Sequence, residues 1–270
     1  MKKNRIFSMT AALLCAAMLC ACGGNGGTDA PETADTAENI ETTTETTTEA
    51  IPDDGSVYAD FGGGSSPLFE ASNGWSNGDM FNVTWRDKNC TFENGKMQLI
   101  IDNDTELVKT VPYSGGEYRS KEHYGYGLYE VSMKAIKNDG VVSSFFTYTG
   151  PSEGNPWDEI DVEILGKDTT KVQFNYFTDS KGNHEFMYDL GFDASEGFHT
   201  YGFDWQADKI TWYVDGQEAH SVSENIPVTE SKIMMNAWCG TGVDGWLNAF
   251  DDSQMPLRAE YEWVKFTPAS

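Results

Sequence analysis

Short apolar runs broken by Gly, Asn and Asp recur along the chain. Lys96–Ile101, Gly127–Met133, Val141–Tyr148, Lys171–Phe177, His199–Trp205 and Ile210–Val214 are rich in β-branched and aromatic residues, a pattern that predicts strands. Val214-Asp215-Gly216-Gln217 reads as a tight hairpin turn. Glu260–Phe266 is predicted as the last strand, and no long stretch repeats with a helical period. Many short strands within residues 55–270 argue for an all-β fold, an antiparallel β-sandwich or jelly roll.

The clearest alternation lies at Trp157–Gly166. Glu159, Asp161 and Glu163 are separated by Ile160 and Val162, and Ile164 follows. Successive side chains on a strand point to opposite faces, so the acids share one face and the aliphatics the other. Three adjacent like charges repel and raise one another's pKa. A glycoside-cleaving site needs such a set: one carboxylate attacks or activates water, one acid protonates the leaving oxygen, and a third tunes the pair. A solvated acidic face or a calcium-ligand cluster would carry the same letters. Trp157 and the many aromatics beyond it favour the glycosidase reading.

The charge balance narrows the partners. With 43 Asp and Glu against 18 Lys and Arg, the formal net charge is −25. That excludes nucleic acid and anionic lipid surfaces and fits a neutral partner. Eight Trp and twelve Tyr supply apolar faces of the kind that sugar rings stack on, although large β cores use them too. Lys2, Lys3 and Arg5 precede the apolar run Met9–Leu19, which is too short to span a bilayer comfortably. Leu19-Cys20-Ala21-Cys22 resembles a bacterial lipoprotein box, with Cys22 as the lipidated residue; the alternative is a plain secretory signal cut after Ala21. Residues 1–22 are accordingly read as a signal segment. Residues 23–54, Thr- and Glu-rich without a basic residue, are read as an extended linker. Residues 55–270 are read as one catalytic domain. Localisation is expected outside the cytoplasm, at the outer side of a membrane through a lipid anchor, with the membrane touched only there. A monomer is expected. Cys90 and Cys239 permit one disulfide without requiring it, and no CxxC or HExxH zinc pattern is present. His123, His184, His199 and His220 have no nucleophile motif beside them, so a serine hydrolase is not expected.

Trp157–Glu163 with the following Leu165–Asn175 resembles glycoside hydrolase family 16, and within it the bacterial lichenases, the endo-1,3-1,4-β-glucanases. Ser76–Asn82, Gly116–Ser120, Tyr124–Glu130, Val142–Pro151, Gly202–Trp205, Trp212–Gly216 and Lys232–Trp238 carry the same resemblance. Laminarinase-like members commonly have one extra residue within the acid run. The resemblance implies a concanavalin-like jelly roll with a concave substrate groove and a retaining mechanism. It makes Glu159 the nucleophile, Glu163 the general acid/base and Asp161 the assisting residue. Sugar contacts would fall on Trp75, Asn77, Glu117, Arg119, Phe146, Tyr148, Trp157, Asn175, Asn236 and Trp238. The implied substrate is mixed-linkage β-glucan, cut at β-1,4 bonds next to β-1,3 links. Other family 16 activities, such as laminarinase or transglycosylase, and a non-catalytic glucan-binding module are the alternatives.

The chain departs from the family pattern in two places. Val83 and Ser114, or a neighbour of Ser114, stand where many lichenases carry paired cysteines. A structural calcium would fall on Asp60, Gly95 and Glu262, with Glu262 in place of the more usual Asp. No cofactor is required for the chemistry itself.

Overall fold

The computed structural model describes residues 54–107 and 111–270. The signal segment, Cys22 and the linker up to residue 53 lie outside them. The strands are β1 (Val57–Asp60), β2 (Phe69–Ala71), β3 (Val83–Trp85), β4 (Cys90–Glu93), β5 (Lys96–Asn103), β6 (Tyr113–Ser120), β7 (Gly127–Lys134) and β8 (Val141–Thr149). They continue with β9 (Asp158–Leu165), β10 (Lys171–Phe177), β11 (Phe186–Asp189), β12 (His199–Trp205), β13 (Ile210–Val214), β14 (Gln217–Val222), β15 (Lys232–Cys239) and β16 (Leu257–Pro268). Every strand expected from the residue pattern is present, several of them longer at one end. One short helix, α1 (Asp244–Leu247), follows β15.

One sheet runs β2-β6-β15-β8-β9-β10-β11 and the other β4-β5-β16-β7-β12-β13-β14. They meet where Asp102 and Asn103 of β5 pair with Ser114 and Tyr113 of β6. Among the described residues, pairing is antiparallel except between β3 and β6. β16 borders β5 through Tyr261, then bulges before Trp263 and borders β1 instead. The result is an all-β jelly-roll sandwich.

Apolar side chains at alternate positions explain the layering. Ile160, Val162 and Ile164 are fully buried. Phe145 meets Phe203 across the sandwich at 5.6 Å between ring centroids, and Phe174 meets Trp212 at 5.6 Å. Burying each such side chain is worth about 1.5–3 kcal/mol. Polar atoms at the layer boundary are bonded across it. The Trp212 indole donates to the Asp161 carbonyl at 3.1 Å, and the Tyr261 hydroxyl donates to the Ser144 carbonyl at 2.9 Å. Both bonds tie the second sheet to the backbone directly behind the acid cluster.

The β13–β14 turn has Asp215 at φ 48° and Gly216 at φ 74°. Two successive left-handed residues match the strand twist of a tight hairpin, and Gly tolerates the second at no steric cost.

Cys90 and Cys239 are both free thiols, which settles the pairing that the sequence left open. Val83 lies opposite Tyr113 and Thr84 opposite Ser114, so the positions of the implied family disulfide are neighbours across β3–β6. Packing, with Val83 and Trp85 fully buried, holds this seam without a covalent link.

Candidate active site

The period-two rule becomes a grid once the register is known, because residues directly opposite in antiparallel strands share a face. The row through Glu159 reads Phe177, Glu159, Tyr148, Lys232. The row through Asp161 reads Asn175, Asp161, Phe146, Met234, Arg119, Glu70. The row through Glu163 reads Gln173, Glu163, Ser144, Asn236, Glu117. All of them face away from the core. Even so, Asp161 is 5% exposed, Asn175 6%, Asn236 3% and Glu117 1%. Polar residues that are turned outward and still inaccessible line the floor of a recess.

The recess therefore gathers Glu159, Asp161, Glu163, Glu117, Arg119, Phe146, Tyr148, Asn175 and Asn236 from four adjacent strands and β6. Trp157 precedes β9, stacks on Phe177 at 4.5 Å and donates its indole N–H to Glu159 Oε2. Trp75 is 38% exposed and lies under the Arg119 guanidinium, 5.9 Å from its ring. Arg119 Nε also donates to Glu70 Oε1 at 3.1 Å. Asn77 and Trp238, two further expected sugar contacts, also meet protein. Asn77 Oδ1 accepts the Trp85 indole N–H at 2.7 Å, and Trp238 is 2% exposed beneath Phe81, 4.2 Å away between ring centroids.

Three side chains that the residue pattern did not single out complete the site. Gln173 Nε2 donates to Glu163 Oε2 at 2.7 Å, and Trp246 of α1 donates to Gln173 Oε1 at 3.1 Å. Gln173 shares parity with Asn175 on β10, but only the register shows which acid it meets. Asp158 is buried and accepts the backbone N–H groups of Asp179, Val228 and Thr229 at 2.9, 3.1 and 3.0 Å. It fastens two loops beside Glu159.

Electrostatics follow from burial. Desolvation pushes Glu159 up to about 7, with Glu117 adding to the rise and bonds from Trp157 and Asp161 opposing it. Glu163 is also pushed up to about 7 by desolvation, which the Gln173 bond opposes and the charges of Glu159 and Glu185 reinforce. Asp161 is raised well above the ordinary carboxylate range, through desolvation and then the charges of Glu159 and Glu163. Its hydrogen bond to Glu159 favours ionised Glu159 and protonated Asp161. Glu117 is raised by desolvation against bonds from Ser72 at 2.7 Å and Asn236 at 3.3 Å.

Gly150-Pro151-Ser152-Glu153-Gly154 does spell the G-x-S-x-G letters of a serine nucleophile, which corrects the expectation of no such motif. Ser152 is exposed within a single 3-10 turn, Pro151–Glu153, rather than at a strand-to-helix elbow. The turn instead offers Glu153 to His123, 3.1 Å away.

Of the implied calcium ligands, Asp60 and Gly95 converge on Gly62. A Cβ there would lie 2.9 Å from Asp60 Oδ1 and 3.7 Å from the Gly95 carbonyl. Asp60 pairs with Trp263, next to Glu262 in the β16 bulge. The Glu262 carboxylate accepts the Ser132 hydroxyl at 2.7 Å.

The model of glycosyl hydrolases family 16 matches residues 77–265, a span that contains the three acids and nearly every residue of the recess. The chain belongs to this family. It is 52% identical over 223 residues to a beta-glucanase of Bacillus subtilis, covering 82% of this chain and 90% of that protein. It is 56% identical over 214 residues to a xylanase/beta-glucanase of Ruminococcus flavefaciens, covering 78% of this chain but only 27% of that protein. The crystal structure of a prokaryotic β-1,3-1,4-glucanase (lichenase) from a mouse hindgut metagenome superposes with a TM-score of 0.76. Its identity is 52%, over 79% of this chain and 99% of that one.

The raised carboxyls of this family 16 domain have a cost in stability. Between the ordinary Glu value and about 7 the folded state holds more protons than the unfolded state, so stability falls as pH rises through that window. Glu163→Gln removes one ionising group. It is expected to raise stability by about 1–2 kcal/mol above pH 7, after allowance for solvent screening, and to gain nothing at pH 4. Urea denaturation at the two pH values checks this, and an equal gain at both would refute it.

Proposed function

We propose that the protein is a retaining endo-β-glucanase that hydrolyses β-1,4 bonds adjacent to β-1,3 links in mixed-linkage β-glucan. The observation that carries the reading is the uninterrupted Glu159, Asp161, Glu163 set on one strand face, with each glutamate held by its own donor. The similarity to beta-glucanases and to a lichenase structure at 52% identity or more supports the substrate class. The mixed sign of the recess, acids beside Arg119 and half-exposed aromatics, suits a neutral polyhydroxylated chain.

In the first step the Glu159 carboxylate attacks the anomeric carbon. The bond from that carbon to the leaving oxygen breaks, and the Glu163 proton passes to the oxygen. Glu159 must be ionised for this, and the indole N–H of Trp157 and the proton on Asp161 stabilise that charge. Glu163 must be protonated: burial raises both glutamates to about 7, and the donors on Glu159 favour leaving the negative charge there and the proton on Glu163. Once Glu159 is esterified to the sugar its charge is gone, and Glu163 becomes the stronger acid. It then takes a proton from water, the water oxygen attacks the anomeric carbon, and Glu159 leaves as carboxylate. Two inversions give net retention.

Calcium is proposed as a structural ion on Asp60, Gly95 and Glu262. The all-oxygen donor set and the approach of Asp60 and Gly95 at Gly62 support it. Export with a lipid on Cys22 is proposed from the Leu19–Cys22 box.

Parallel assays on mixed-linkage glucan, laminarin and carboxymethyl cellulose should show release of short oligosaccharides from the first alone. Comparable rates on laminarin would replace the reading with a β-1,3-glucanase. Glu159→Ala should abolish turnover on every substrate. Glu163→Ala should lose about 100-fold or more in kcat/KM on glucan while sparing kcat/KM, though not kcat, on an aryl glycoside whose leaving group needs no proton, because the second step still lacks its base.

A chelator should lower the melting temperature, because an ion that binds only the folded state stabilises it by mass action. An unchanged melting temperature with no metal detected would remove calcium from the account. Cys22→Ala expressed in a bacterial host should move the protein from the membrane to the soluble fraction, and an unchanged distribution would favour a plain signal peptide.

A further inference from the structure

A carboxyl that acts as acid and then as base must present the right oxygen each time. Glu163 Oε2 is taken by the Gln173 N–H at 2.7 Å. A side-chain amide can turn over and exchange donor for acceptor, which would put an oxygen against Glu163 instead. Gln173 is not free to do so. Its Oε1 accepts the Trp246 indole N–H at 3.1 Å, and an indole N–H can only donate. Both bonds survive in one amide orientation only.

We propose that Trp246, acting through Gln173, is a positioning residue that fixes the proton of Glu163 on Oε1 and so keeps that carboxyl competent as acid and base. The proposal rests on the assignment of Glu163 made above. A neutral carboxyl has one carbonyl oxygen and one hydroxyl oxygen, and the carbonyl oxygen is the better acceptor. With Gln173 donating to Oε2, the proton sits on Oε1, the oxygen left for the glycosidic bond. With the amide reversed, the Glu163 hydroxyl would donate to Gln173, and the proton would be held away from the leaving group.

The anchoring of α1 supports this role. Leu247 is 1% exposed and its carbonyl accepts the Gly140 N–H at 2.7 Å, while the Trp246 ring lies 6.0 Å from Trp238. Gln173 is 5% exposed, so water does not readily replace either bond. The charged groups that face Glu163 are Glu159 and Asp161 from β9 and Glu185 from the segment before β11, with Ser144 opposite on β8. Glu159 and Glu185 disfavour the carboxylate, and the Gln173 N–H opposes them.

The test is Trp246→Phe, which keeps an aromatic ring and removes the N–H. On mixed-linkage glucan kcat/KM should fall about tenfold or more, a part of what general acid catalysis supplies. On the 2,4-dinitrophenyl glycoside of a short β-glucan oligosaccharide, kcat/KM, which reports only the first step and needs no acid, should stay within about twofold. Gln173→Leu should repeat the selective loss and move the basic limb of kcat/KM to higher pH, because a donor to the carboxylate is gone. Equal losses on both substrates, or no loss on either, in folded protein would overturn the proposal. If Glu163→Ala itself showed no selectivity between the two substrates, the acid assignment would fail, and the proposal with it.

Discussion

Taking a carboxylate out of water costs several kcal/mol, and β9 does so three times within five residues. Each of the three neighbours would ionise more easily without the others, so the strand can carry them only with protons shared and donors supplied. Trp157 serves Glu159, Gln173 serves Glu163, and Asp161 holds a proton against Glu159. The bond of Trp212 to the backbone of this strand, and that of Tyr261 to neighbouring β8, keep it from relaxing outward. Solvation of the acids would end their usefulness, so the recess and its rigid floor belong to the chemistry as much as the acids do.

Register turns this local arrangement into a surface. β8, β9 and β10 pair without a bulge, so the alternation on β9 propagates sideways and each acid acquires a fixed neighbour on either side. A slip of one residue would exchange the acid face for the aliphatic one. The buried Ile160, Val162 and Ile164 make such a slip prohibitive, because it would trade three core side chains for three carboxylates.

Much of this was legible before any coordinates. The strands, the hairpin at Asp215–Gly216 and the acid face follow from period-two patterning and turn chemistry. Glu117, Arg119, Asn175 and Asn236 gained weight only through resemblance, because composition does not say which loops and strands converge. Gln173 and Trp246 escaped because their roles depend on pairing partners 10 and 73 residues apart. Trp238 shows the opposite limit. An aromatic in a sugar-binding motif reads as a platform, yet neighbouring rings cover it. The G-x-S-x-G letters at Gly150–Gly154 show how a short motif without its strand-to-helix context carries no chemistry.

The thiols of Cys90 and Cys239 bear on where such a domain can work. No covalent bond crosses the seam between β3 and β6, and burial pushes the Cys90 thiol up to about 12 and raises Cys239 as well. Almost no thiolate exists at neutral pH, so neither group exchanges readily with small disulfides or alkylates. The described fold thus has no disulfide for a reducing environment to break. It needs no oxidising compartment to mature and loses no cross-link in a strongly reducing, anaerobic one.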